Sequence, residues 1–333
     1  MNVGSRALVL AATTWLATSL PSVSGPSAAA QAQPGGRVLG SARGQVAWLD
    51  LVAPRPTPLT QLVRPAYPAD VAAAPGVPYA VASVISGNAS GTGGDLLLVD
   101  LATSETRTLV TRQSDGESLD LPAIWPDGSG VLYQRSNLKA AIPMPGQAQP
   151  QYQSRIEQVD TSGQGPMPLL DDARYPGPAP DGSRFAFIRS TDRGSGVFIH
   201  SIADSTDTEL VPPGQFLAVA YPRFSPDGQR VAFVSIANAP AIGLERGPGS
   251  WFAPSTALAH GFPWEVWIVN ADGSDMRQIP DIIDDDPSVA WSPDSNQVLV
   301  YGGWGSYVVD VASGSATSLS FLAGYGSVAW LPD

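Results

Sequence analysis

Carboxylates, hydroxyls and amides must carry most of any chemistry in this sequence, because it holds two histidines, His200 and His260, and no cysteine. Thiol nucleophiles, disulfides, Cys-based zinc sites and a lipidated N-terminal cysteine are excluded. There is no G-x-S-x-G elbow, and the single lysine, Lys139, lies outside any Gly-rich phosphate loop. Serine hydrolysis and nucleotide hydrolysis therefore have no support in the sequence. Asp281, Asp284, Asp285 and Asp286 form a dense acidic run, and hard oxygen ligands of this kind suit Ca²⁺. Their spacing is not that of an EF-hand loop, so a solvated loop is the expectation, with no metal and no cofactor. A second set of carboxylates recurs: Asp127, Asp181, Asp227 and Asp294 each follow a proline. Recurrence at one turn position points to backbone bonding rather than catalysis. Trp125, Phe224, Trp291 and Trp330 precede those turns at equivalent places and read as packing residues between repeats. His200 stands where other repeats end a strand in a polar residue, which suggests a surface or edge position.

The elements that position these residues follow from the repeat. Tyr175-Pro176 through Ile188 is restated by Tyr221-Pro222 through Val234, with the turns Pro180-Asp181-Gly182 and Pro226-Asp227-Gly228 in register. Proline presets φ, aspartate bonds its own backbone and glycine accepts a left-handed conformation, so x-P-D-G-x between apolar runs is a hairpin. Weaker copies lie at Trp125-Pro126-Asp127-Gly128, at Trp291-Ser292-Pro293-Asp294 and at Trp330-Leu331-Pro332-Asp333. A degenerate copy begins at Tyr67-Pro68 and ends in Pro75-Gly76, which makes six turn anchors. Each is followed by a second pair of strands, clearest at Glu265–Asn270 and Met276–Ile279. Turn spacings of 54, 46, 67 and 39 residues approach the roughly 40–45 expected of a four-stranded blade, and the longer ones imply inserted loops. The fold class is all-β: a six-bladed β-propeller whose C-terminal strand completes blade one, with Ser327–Asp333 pairing against the Val38 and Trp48 strands. Gly 34 and Pro 32 suit such a turn-rich chain.

Residues 1–32 read as a signal peptide and 33–333 as a single propeller domain. Arg6 precedes an apolar run from Ala7 to Leu20, and Ala30-Gln31-Ala32 supplies a cleavage site. The run is shorter than the roughly 20 residues that span a bilayer, so no membrane span is expected after cleavage. The predicted location is the periplasm, the cell surface or the medium. A net charge of -12 opposes binding to nucleic acid.

The S-P-D-G turns before apolar strands, with Val266-Trp267-Ile268-Val269-Asn270-Ala271-Asp272-Gly273-Ser274 before the last strand of its blade, resemble the TolB-type six-bladed propeller family. The resemblance covers roughly residues 35 to 333 and is specific in blades three to six; blade one lacks a turn motif of its own and blade two lacks the Asp. It implies a protein-binding platform in the bacterial envelope. TolB also carries an N-terminal α/β domain, so its particular partners do not follow. The expectation is a non-catalytic binding or scaffolding module, monomeric, with a protein or peptide ligand of basic character. The alternative is a carbohydrate- or peptide-processing enzyme using carboxylates in the central channel.

Strand reversal places the S-P-D-G turns on one rim, and second-to-third-strand loops and blade connections on the opposite face. Two loops there are long, Asn137–Gln153 and Ala237–Pro263. The second carries Trp251, Phe252, His260 and Phe262, with Trp264 at its end, amid acidic connections that include Asp120, Asp172, Asp285 and Asp286. These nine residues are the expected binding surface, since loops on a rigid scaffold carry recognition; the alternative for Trp251 and Phe252 is that they fold the insertion back onto its blade, as long ordered loops pack on their own side chains.

Overall fold

The computed structural model describes residues 35–86, 93–142, 151–237 and 264–333. Blade one holds β1 (Arg37–Ala42), β2 (Gln45–Leu49) and β3 (Thr57–Pro58), and blade two holds β4 (Tyr67–Ala73), β5 (Tyr79–Ile85), β6 (Gly94–Asp100) and β7 (Thr106–Val110). Blade three is β8 (Glu117–Ile124), β9 (Gly130–Ile142), β10 (Gln151–Asp160) and β11 (Met167–Asp171). Blade four is β12 (Arg174–Pro178), β13 (Arg184–Thr191), β14 (Gly194–Ser201) and β15 (Thr206–Val211). Blade five is β16 (Ala218–Phe224), β17 (Arg230–Ile236), β18 (Trp264–Asn270) and β19 (Arg277–Asp284), and blade six is β20 (Ser288–Trp291), β21 (Gln297–Tyr301), β22 (Ser306–Asp310) and β23 (Ala316–Leu319). The last strand, β24 (Ala329–Leu331), joins blade one, whose order is β24-β1-β2-β3.

The turn chemistry is the same in four blades. Asp127, Asp181, Asp227 and Asp294 each accept the backbone N–H two residues on, at 2.9, 3.0, 3.0 and 3.1 Å. Gly128, Gly182 and Gly228 take φ near +70°, and Ser295 holds the same conformation at φ 63. These carboxylates are structural.

Blades pack face to face, and each of the six junctions has its own apolar cluster. Successive side chains of a strand point to opposite faces, so a second strand serves two junctions. In β17, Val231 and Phe233 pack toward blade four while Ala232 and Val234 pack toward blade six. Continuous apolar runs such as Val231–Val234 are therefore buried on both faces. Trp291 donates its indole N–H to Arg223 O at 3.0 Å across one junction, and Trp125 meets Phe185 edge-on across another.

First strands contact their neighbours in cyclic order, β24, β4, β8, β12, β16, β20 and back to β24, and form the inner wall. Closure is double. Arg37, Val38 and Leu39 pair with Leu331, Trp330 and Ala329, while Ser327 N–H donates to Asp70 Oδ1 at 2.9 Å in blade two. The C-terminal strand pairs with β1 alone. The Trp48 strand lies on the far side of β1, because a strand in the interior of a sheet has only two edges.

Candidate functional site at the channel mouth

The inner wall is interrupted by bulges at one level. Register shifts occur between Pro68 and Asp70, Asp120 and Ala123, Arg174 and Gly177, and Ala220 and Arg223. At each of the last three a residue preceding proline takes positive φ: Leu121, Tyr175 and Tyr221. A bulge re-aims side chains that a regular strand would alternate. Here the bulges gather Asp70, Asp120, Tyr175, Tyr221, Arg174 and Arg223 around the axis.

These groups feel one another's charge. Burial raises the Asp70 carboxyl, opposed by hydrogen bonds from Ser327 and Leu121 and by the charge of Arg223. Burial pushes Asp120 up to about 7, against its bond from Ser118 and with the charge of Asp70 adding to the rise. Burial holds both Tyr175 and Tyr221 above the ordinary phenol value, with Asp286 the next contributor to each. The two rings meet edge-on with centroids 5.0 Å apart. Arg223 donates to the carbonyls of Pro176 and Pro222, and Arg174 to Ser190 Oγ.

A cavity of about 670 Å³ is lined by Asp70, Tyr221 and Asp286 and by the exposed side chains of Tyr67, Phe321 and Tyr325. Trp304 stands on the same face, in the β21–β22 loop, 60 % exposed. Its loop is pinned from beneath. Asp284, fully buried at the end of β19, accepts the Trp304 N–H at 2.9 Å, Gly303 N–H donates to Asp285 O, and Gly324 N–H donates to Gly302 O. Burial raises the Asp284 carboxyl, so holding this loop in shape carries a desolvation cost. Asp285, also buried, accepts the Tyr325 hydroxyl at 3.1 Å.

The acidic run thus departs from the expected solvated loop: Asp284 and Asp285 are buried because the chain turns inward there and uses them to fix the neighbouring loops. His200 also departs from expectation. It is buried, with Nδ1 2.7 Å from Asp207 Oδ1 and its ring 5.0 Å from Phe185, because the outer strands of blade four pack on the junction with blade three.

Of the nine expected binding residues, Trp251, Phe252, His260 and Phe262 lie outside the described residues, as do residues 1–34. Trp264 is half-buried against the cluster between blades five and six. Asp120 and Asp286 join the axial group, and Asp285 supports the rim. Asp172 is exposed and lines a separate cavity of about 490 Å³ with Arg135, Lys139 and Arg155. Asp70, Tyr221, Trp304, Phe321 and Tyr325 were not anticipated. The sequence does carry a signal for two of them, the Tyr-Pro pair restated in blades two, four and five and the Gly302-Gly303-Trp304-Gly305 run.

Solved structures now place this architecture. Over 90 % of this chain and 67 % of the other, it superposes on TolB from Acinetobacter baumannii with TM-score 0.61 and 18 % identity. A putative TolB from Agrobacterium tumefaciens gives 0.53 and 17 %, covering 86 % of this chain and 88 % of that one. The chain folds as a TolB-type six-bladed propeller. A structure of a nidogen/laminin complex is similar over 88 % of this chain and 98 % of that one, with TM-score 0.62 and 11 % identity. No family model matches the sequence, and comparison with curated proteins finds no match.

Proposed function

We propose that this TolB-type propeller is an exported, monomeric, non-catalytic binding module that engages a protein partner through the loop face around the channel mouth. The observation that carries this reading is Trp304. A fully buried carboxylate accepts the Trp304 backbone N–H and fixes the loop that presents this exposed indole, and an exposed aromatic on a fixed loop is what a binding anchor requires. Tyr67, Phe321 and Tyr325 extend the aromatic surface around the cavity. Support also comes from the fold shared with TolB and with a propeller solved in a nidogen/laminin complex. The apolar stretch at Ala7–Leu20 and the Ala30-Gln31-Ala32 site support export.

Affinity capture from the native envelope fraction tests the reading. Trp304→Ala and Tyr325→Ala are expected to lose the captured partner, with a cost of about 2 kcal/mol or more at an anchor position. Ile202→Ala, on the S-P-D-G rim, is expected to retain it. Loss from the Ile202 variant alone would overturn the assignment. Intact mass of the exported protein tests export, with a mature start near Gln33 expected and retention of residues 1–32 in the membrane fraction contradicting it.

A further inference from the structure

Blade one carries a charge opposite to that of the chain. Residues 35–66 hold four arginines, Arg37, Arg43, Arg55 and Arg64, and a single carboxylate, Asp50, in a protein of net charge -12. Asp50 is occupied, because its Oδ1 accepts the N–H groups of Val52 and Ala53 at 2.7 and 3.0 Å. Arg37 lies over the Trp48 ring, 3.8 Å from its centroid. Arg43, Arg55 and Arg64 are exposed, and none has an ion pair among the described residues. Arg43 and Arg55 line the mouth cavity. Arg64 stands at the same end of the blade: Gln45, beside the Arg43 turn, bonds the carbonyl and the N–H of Leu62 at 2.9 and 2.7 Å, and Tyr67, three residues after Arg64, is on the cavity rim. The other carboxylates of the cavity are engaged within the fold, Asp70 by the Ser327 N–H and Asp286 by further contacts of the chain. The apolar surface beside the arginines is also open, with Val63 81 % exposed and Tyr67, Phe321 and Tyr325 exposed around the cavity. Arginine with aromatic residues is the composition enriched where proteins bind one another.

We infer that the blade-one end of the mouth receives a short acidic segment of the partner protein, its carboxylates on Arg43, Arg55 and Arg64 and an apolar side chain among Tyr67, Phe321 and Tyr325; the inference rests on the protein-binding reading above. Guanidinium groups bond carboxylates through two parallel N–H donors, which gives direction as well as attraction. The net charge alone favours a basic partner, but exposed charges are screened beyond about 8 Å at physiological salt. The arginines therefore set the sign of what docks beside them. The same acidic remainder limits how large an anion fits. An extended polyanion or an anionic membrane would reach past blade one to the exposed Asp115, Asp171 and Asp172 of the blade connections and meet like charge there, whereas a short segment does not.

The probe is the peptide acetyl-Glu-Glu-Phe-Glu-Glu-amide, with Gln or Lys in place of every Glu as the neutral and basic controls, titrated into the exported protein at low ionic strength and followed by calorimetry. Saturable binding of the Glu peptide is expected, at least about tenfold tighter than the Gln peptide, because three exposed charge pairs each contribute a severalfold gain or less. The Lys peptide should bind more weakly than both, and the preference should vanish at about 1 M salt, where the screening length falls to roughly 3 Å. Arg43→Gln combined with Arg64→Gln should weaken the Glu peptide at least about fivefold, whereas Arg107→Gln combined with Arg193→Gln, which removes the same charge from blades two and four, should leave it within about twofold. All four positions are exposed, and thermal melts check that each variant folds. Equal binding of the Glu and Gln peptides, equal weakening by the two double variants, or tighter binding of the Lys peptide would each overturn the acidic segment. So would arginine-dependent binding to phosphatidylglycerol vesicles, or arginine-dependent self-association in sedimentation, without a preference for the Glu peptide, since the surface would then belong to a membrane or to a second copy of the chain. If the peptides fail while Trp304→Ala still loses the captured protein, the acidic segment alone is wrong. If Trp304→Ala keeps the partner, the protein-binding reading fails whatever the peptides do.

Discussion

Ser295 shows how a single residue in a repeated turn is held in place. It adopts φ 63 where three other blades have glycine, a conformation that disfavours a side chain. Its hydroxyl accepts the Asp227 N–H at 3.1 Å and its carbonyl accepts Arg230 at 2.8 Å, tying the turns of blades five and six together. Ser295→Ala is expected to destabilise by about 1 kcal/mol, whereas Ser295→Gly exchanges a lost hydrogen bond for relief of backbone strain and comes out near neutral. Denaturant unfolding distinguishes them, and equal losses would refute the compensation. Asp120 gives a pH dependence. Because its carboxyl is held at about 7 in the fold, the folded state retains a proton that the unfolded chain releases near pH 4, so stability falls as pH rises from about 4 to about 7. Asp120→Asn should therefore be more stable than wild type at pH 8, by up to about 4 kcal/mol, and should match it near pH 4. A difference that does not change between the two pH values would show that burial of Asp120 is not its source.

At the scale of elements, the C-terminal strand is decisive. It pairs with β1 and bonds β4, so it holds two blades at the seam of the ring. Gly326 makes the approach to that seam possible: its φ is +89, and a Cβ there would sit about 1.7 Å from Ala69 O. Gly326→Ala is expected to lower the melting temperature strongly, and deletion of Ser327–Asp333 to expose the edge of β1 and promote association. A truncated protein that stays monomeric with an unchanged melt would argue against closure by this strand. The strands and this closure were readable because P-D-G punctuation fixes the hairpins locally and Ser327–Asp333 repeats Ser288–Asp294. The site was much less so. Tyr-Pro is visible as a repeat, but only the bulges in the folded first strands turn those tyrosines and the neighbouring carboxylates toward the axis. Tyr67 and Tyr325, distant in sequence, share one cavity because the ring closes between them. The acidic run shows its number of carboxylates in sequence but not that two of them turn inward.

On the scale of the whole molecule, the two faces differ in kind. One face carries the recurring turns, whose carboxylates are occupied by backbone N–H groups. The opposite face carries the pinned Trp304 loop, the aromatic rim and a cavity that reaches the buried Asp70 carboxyl. The most direct measurement is site-specific photo-crosslinking in the native envelope, with the probe amino acid placed at position 304, 321 or 202 in turn. A discrete protein adduct from 304 and 321, absent from 202, is the expected result; an adduct from 202 with none from 304 or 321 would contradict binding at the channel mouth.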